Sequence, residues 1–103
     1  MNFKERSETV RVYVEGQIGK HQVNESPELN YYLNILKEEN YEYYRIIKSE
    51  YIDKLPKDWY QSYYARSTYY RTKGKSMKRF IKLIESPCFH WNKKIIMLSL
   101  LWN

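Results

Sequence analysis

The sequence predicts an all-α protein, a small helical bundle of about four to five helices with a C-terminal helix-turn-helix. Apolar residues recur at three- and four-residue spacing through most of the chain, which is the period of an amphipathic helix. Glycine and proline are scarce, at three each in 103 residues, so long helices are seldom interrupted. A single short segment alternates in the manner of a strand, and a lone strand is not stable.

That alternating segment lies near the N-terminus and is open to two interpretations. Residues 9–15, TVRVYVE, follow the period of two that is typical of a strand. A helical stripe fits the same stretch and is formed by Phe3, Val10, Val14 and Ile18. We favour the helix over residues 1–22 because no second strand is available as a partner. Gly16 and Gly19 are expected to form its end.

Two further helices are expected in residues 27–39 and 41–54. Ser26 as N-cap, with Pro27 at the first helical position, is typical of a helix start. Asn40 can end the first of these helices or cap the second. An apolar stripe in the first helix consists of Leu29, Tyr32, Leu33 and Leu36. A stripe at the same spacing in the second consists of Tyr43, Ile46, Ile47, Glu50 and Tyr51.

A short helix of roughly two turns is expected at 58–64, after Pro56 has ended the preceding one. Asp58 is its candidate N-cap, and Gln61 three residues later would complete a capping box. The side chains expected to face inward are Trp59 and Tyr63.

The longest helix is predicted from about 66 to 85. Its apolar or small face consists of Tyr69, Ser76, Met77, Phe80, Ile81 and Ile84. Gly74 lies in the middle and costs about 1 kcal/mol relative to alanine. We therefore expect another helix to approach closely at Gly74.

Charge divides the chain into two unequal parts. The formal net charge is +6, and residues 1–55 contribute eight basic and ten acidic side chains, whereas residues 56–103 contribute ten and two. A split of this kind indicates a basic binding surface in the second half. The simpler interpretation is a solvated helix face, but such faces usually interleave both signs to form i,i+4 pairs.

The short helix and the long basic helix are separated by a few residues around Ala65, which is the arrangement of a helix-turn-helix. In that motif the second helix enters the major groove of DNA and its first residues meet the bases. The candidates for base contacts are Arg66, Ser67, Thr68, Tyr70 and Arg71. Those for phosphate contacts are Lys73, Lys75 and Lys78.

Residues 65–80, ARSTYYRTKGKSMKRF, resemble the recognition helix of the autolysin regulatory protein (ArpU) family. The resemblance covers roughly residues 41–85. The same stretch also resembles, more faintly, the helix-turn-helix in region 4 of bacterial sigma factors. The resemblance implies a phage or prophage regulator that binds duplex DNA upstream of late, packaging or lysis genes in the host cytoplasm, at the nucleoid. Host RNA polymerase is a further expected partner. Ala65 stands where the family has a capping serine, and Ser67 could cap the helix instead.

The alternative function is a small phage interaction module whose basic face docks on an acidic host protein, without DNA. No spacing suggests a catalytic set, so no enzyme activity and no cofactor are expected. Cys88, His90 and the distant His21 are too few for a zinc site. No membrane partner is expected either, because the longest apolar run, residues 95–102, is far shorter than a bilayer span.

We expect one domain over residues 1–103, with a helical part at 1–55, the helix-turn-helix at 56–86 and an apolar tail at 87–103. The tail reads CFHWNKKIIMLSLLWN from residue 88. It is expected either to fold back on the core or to form a homodimer contact, which would suit a reader of paired DNA half-sites.

Overall fold

The computed structural model describes residues 1–20 and 26–85, and every regular element in these residues is helical. The all-α prediction is therefore confirmed. Four α-helices follow one another: α1 (Phe3–Lys20), α2 (Pro27–Glu39), α3 (Tyr41–Ile47) and α4 (Arg66–Ile84). A π-helical turn (Lys48–Ile52) continues α3, and a 3₁₀ turn (Trp59–Ser62) precedes α4.

Helix α1 settles the ambiguity of the N-terminal segment in favour of the helix. Val10 and Val14 are fully buried on its inner side, as the helical stripe predicts. Helix α1 continues through Gly16 and ends at Lys20, one residue after Gly19, so the expected end is wrong for Gly16 only. A Cβ atom at either glycine would meet nothing within 4 Å, so neither position depends on a missing side chain.

The caps between α1 and α3 follow the sequence closely. The Ser26 hydroxyl accepts a hydrogen bond from the Leu29 N–H at 3.3 Å, and Pro27 occupies the first turn of α2. Asn40 performs both of its possible roles. Its own N–H donates to the Leu36 carbonyl at 2.9 Å, and its side-chain oxygen accepts from the Glu42 N–H at 3.0 Å.

The chain leaves the π-helical turn at Lys54, which has a φ of 53°. The Leu55 N–H donates to the Ser49 carbonyl at 2.9 Å. This bond crosses six positions, one more than the bond that usually closes an α-helix beyond a left-handed residue. Pro56 then prevents the helix from resuming. The predicted stop at this proline is confirmed, and Lys54 carries the reversal.

The short helix expected at 58–64 is shorter and tighter than predicted, since only the 3₁₀ turn forms. Asp58 precedes this turn, but its side chain makes no capping hydrogen bond, so the capping box is wrong. Tyr63 is 62% exposed and does not face inward. Tyr60 is the buried residue of this turn, because a 3₁₀ turn rotates its side chains differently from an α-helix.

Helix α4 packs on α1, α2 and α3 through its apolar side. Met77 and Phe80 are fully buried in the main core, with Ile81 and Leu83 beside them. The ring of Tyr13 in α1 meets that of Phe80 edge-on, with 5.9 Å between centroids. In residues 1–20 and 26–85 we find no helix with the length and apolar character that crossing a bilayer requires.

Gly74 does not mark a close helix approach, contrary to the prediction. A Cβ atom at this position would lie 3.9 Å from Cδ2 and 4.0 Å from Cε2 of the Phe3 side chain. These are ordinary van der Waals distances to a ring that is itself partly exposed. The neighbouring backbone therefore leaves room for a methyl group.

Candidate nucleic-acid interface

One side of α4 is exposed and basic, and we refer to it as the α4 face. It consists of Ser67, Arg71, Lys75, Lys78 and Lys82, all of which are exposed. At 100° per residue they fall within an arc of about 80°. Arg71 and Lys82 are eleven positions apart, so the cationic row extends for about 16 Å along the helix.

The cations of the α4 face are uncompensated within the described residues. Neither Arg71 nor the three lysines forms an ion pair there, and α4 contains no acidic residue. Helix α1 shows the contrasting arrangement, because its Arg11 pairs with both Glu8 and Glu15. The interleaved charges expected of an ordinary solvated helix are thus present on α1 and missing from the α4 face.

The first turn of α4 presents most of the predicted base-contacting residues to solvent. Ala65 is the N-cap with extended backbone, and no side chain caps the helix. Ser67 is therefore not the cap of α4, which begins before it at Arg66. Arg66 is exposed, and its guanidinium lies 5.9 Å from the centroid of the exposed Tyr70 ring. Thr68 is only partly exposed.

Lys73 does not belong to the α4 face, although the sequence assigned it a phosphate contact. Its ammonium donates to Oε1 of Glu50 at 2.9 Å, and the two side chains are only 13% and 17% exposed. The ammonium also lies 5.5 to 5.9 Å from the ring centroids of Phe3, Tyr51 and Tyr69. A carboxylate and three rings surround this cation, so Lys73 does not share the exposure of the lysines on the α4 face.

The second carboxylate oxygen of Glu50 also accepts a hydrogen bond from α4. The Tyr69 hydroxyl donates to Oε2 of Glu50 at 2.6 Å. Burial, together with the adjacent carboxylate, raises the pKa of Tyr69 above its usual value. The hydroxyl consequently keeps its proton and remains a donor. The Tyr69 ring also stacks on Tyr60, with 3.7 Å between centroids and 3° between planes.

Arg79 does not belong to the α4 face either, because it is paired with Glu39. Its Nε and Nη2 donate to the two carboxylate oxygens of Glu39 at 2.7 and 2.5 Å. Lys82, in contrast, is exposed and was missed among the site residues assigned from the sequence. Its spacing supplied a signal, because Lys82 follows Lys78 by four positions and Lys75 by seven, and therefore shares their side of the helix.

His21, Cys88 and His90, which are too few for a zinc site, lie outside the residues that the structure describes, and so does the apolar tail. Within 1–20 and 26–85, no three His, Cys, Asp or Glu side chains form a group that could hold a metal ion.

Comparison with known proteins returns no family model, no curated protein and no solved structure that matches this chain. The resemblance to the autolysin regulatory protein family thus stays a prediction that rests mainly on residues 65–80.

Proposed function

We propose that this protein binds duplex DNA through the α4 face and regulates transcription of phage or prophage late genes. The observation that carries the proposal is the row of four exposed cations on one side of a single helix, none of which forms an ion pair with residues 1–20 or 26–85. The phosphate backbone of DNA binds such rows because the cations displace counterions that are condensed on the duplex. A single helix is also the element that fits the major groove, which is about 12 Å wide.

Docking and readout are assigned to different parts of α4. The lysines of its middle and last turns, Lys75, Lys78 and Lys82, would contact phosphates and supply affinity without sequence information. Arg66, Ser67 and Arg71, at the start of the helix, would meet base edges, and arginine can bond guanine with two hydrogen bonds. Thr68 and Tyr70 would flank these contacts.

The number of lysines assigned to phosphates predicts the salt dependence. Each neutralised phosphate contributes about 0.9 to the slope of log K against log salt, so three contacts give a slope of about −2.7. A rise from about 50 to about 200 mM salt should then weaken binding roughly fortyfold. The experiment is fluorescence anisotropy of a labelled duplex from the gene's own upstream region, with a scrambled duplex for comparison.

Two variants separate readout from docking. Arg71→Ala should cost about 1–3 kcal/mol on the upstream duplex and relax base choice, whereas Lys78→Ala should weaken binding to both duplexes and reduce the slope by about one. Arg79→Ala is the matched control, since it removes one charge from α4 at a residue already bound to Glu39. Equal losses for Lys78→Ala and Arg79→Ala would mean that net charge, and not contact, controls binding.

Failure to bind either duplex at low salt would contradict the proposal and favour the alternative, an acidic protein partner for the α4 face. The resemblance also implies a contact with host RNA polymerase and a homodimer on paired half-sites. Sedimentation of the protein with and without the upstream duplex tests the second of these, because a dimer would bind as a two-to-one complex.

A further inference from the structure

We propose that Glu50 is a positioning residue that fixes the rotation of α4 and thereby the direction of Arg71. This inference rests on the proposed function, since it concerns how the same helix face is presented to DNA. Its basis is a single part-buried carboxylate, 17% exposed, that bonds two side chains of α4, Tyr69 at 2.6 Å and Lys73 at 2.9 Å.

The two bonded residues lie four positions apart, one above the other on the inner side of α4. Arg71 is two positions from each of them, which places it about 160° away around the helix. The carboxylate and Arg71 are consequently on opposite sides of the same turn. A rotation of α4 that redirected Arg71 would have to break at least one of the two bonds to Glu50.

The π-helical turn brings Glu50 to this place and ties it to the rest of the fold. The next residue, Tyr51, donates to Sδ of Met77 at 3.4 Å, and its hydroxyl lies 2.7 Å from that of Ser7 in α1. Glu50 and Tyr51 thus contact three side chains of α4 and one of α1, which are Tyr69, Lys73, Met77 and Ser7. Isolated π-helical turns are rare and often occur at functional sites.

A buried ion pair is weak evidence for stability, because removing two charges from water offsets much of their attraction. Its better supported use is to specify one arrangement among several, since any other arrangement leaves a charge buried without a partner. The Glu50–Lys73 pair meets this description, with three aromatic rings around the ammonium.

The test compares Glu50→Gln with Glu39→Gln. Both changes keep the shape of the side chain, and both remove one negative charge that faces a cation of α4. Only the first acts on the inner side of the helix. We expect Glu50→Gln to reduce the preference for the upstream over the scrambled duplex at least fivefold, whereas Glu39→Gln changes that preference less than twofold. Equal effects of the two changes would overturn the proposal.

Tyr69→Phe provides a milder variant in case Glu50→Gln does not fold. It removes one hydroxyl and retains the ring that stacks on Tyr60. We expect an intermediate loss of preference, with affinity for the scrambled duplex within twofold of the unmodified protein. A preference identical to that of the unmodified protein would contradict positioning by Glu50.

A measurement without DNA separates this inference from the proposed function. In the unmodified protein the Lys73 ammonium should give a slowly exchanging nitrogen-15 NMR signal, and amide exchange in the turn around Arg71 should be slow. Glu50→Gln should abolish the Lys73 signal and accelerate amide exchange around Arg71 at least tenfold. Glu39→Gln should change neither. Unchanged exchange in Glu50→Gln would overturn the positioning role even if DNA binding is established. Accelerated exchange in Glu50→Gln, without DNA binding by the unmodified protein, would support positioning by Glu50 and reject the proposed function.

Discussion

Replacement of Gly74 by alanine should stabilise the protein, although the sequence suggested that the glycine is required. Alanine is better than glycine in a helix interior by about 0.8–1.0 kcal/mol. The added Cβ would gain two contacts with the Phe3 ring at 3.9 and 4.0 Å, each worth about 0.1–0.2 kcal/mol. We therefore expect the free energy of unfolding to rise by about 1 kcal/mol.

The matched control is Gly16→Ala in α1, where a Cβ would meet nothing within 4 Å. Its free energy of unfolding should rise through helix propensity alone, without a contact to Phe3. The rise should be smaller than in a helix interior because Gly16 lies in the last turns of α1. Urea unfolding followed by far-UV circular dichroism measures both, and the midpoint should rise at an unchanged slope. Thermal unfolding should shift upward by about 4–8 °C per kcal/mol for a domain of this size.

A loss of stability in Gly74→Ala, with a gain in Gly16→Ala, would refute this reasoning. It would mean that α1 or another element approaches α4 more closely than the distances to Phe3 indicate. A gain in Gly74→Ala also makes a second measurement useful. Because the change adds one methyl group and removes no cation of the α4 face, affinity for duplex DNA should remain within about twofold of the unmodified protein.

Ala65→Ser should stabilise α4 by about 1 kcal/mol, because Ala65 already has the extended backbone of an N-cap and no side chain caps the helix. Ser67→Ala should change stability little, and an equal and opposite effect there would show that Ser67 is the cap. The Glu39–Arg79 pair should make stability depend on pH, since Arg79 holds the pKa of Glu39 below its usual value of 4.5. This contribution is present above that value and lost as the pH falls through the lowered pKa. Both side chains are about two-fifths exposed, so the pair contributes at most about 1 kcal/mol. The free energy of unfolding of Glu39→Gln should accordingly lie below that of the unmodified protein near pH 7, and the difference should shrink as the pH falls below 4.5. A difference that does not change with pH would contradict this origin.

The helices could be read from the sequence because their causes are local. Spacing of three and four residues identified the buried sides of α2 and α4, and the caps at Ser26 and Asn40 depend on atoms at most four residues away. The exposed cations Arg71, Lys75 and Lys78 were recognised for the same reason. Their position follows from the helical period once the apolar side is known.

The tertiary structure decided which cations of α4 are paired within the described residues, because the partners are distant in the chain. Lys73 meets Glu50 across 23 positions and Arg79 meets Glu39 across 40. It also decided that only a 3₁₀ turn precedes α4 and that Gly74 faces a side chain and not a backbone. Periodicity describes how one helix presents its own residues. The residues that another helix places against it depend on packing, which local spacing does not determine.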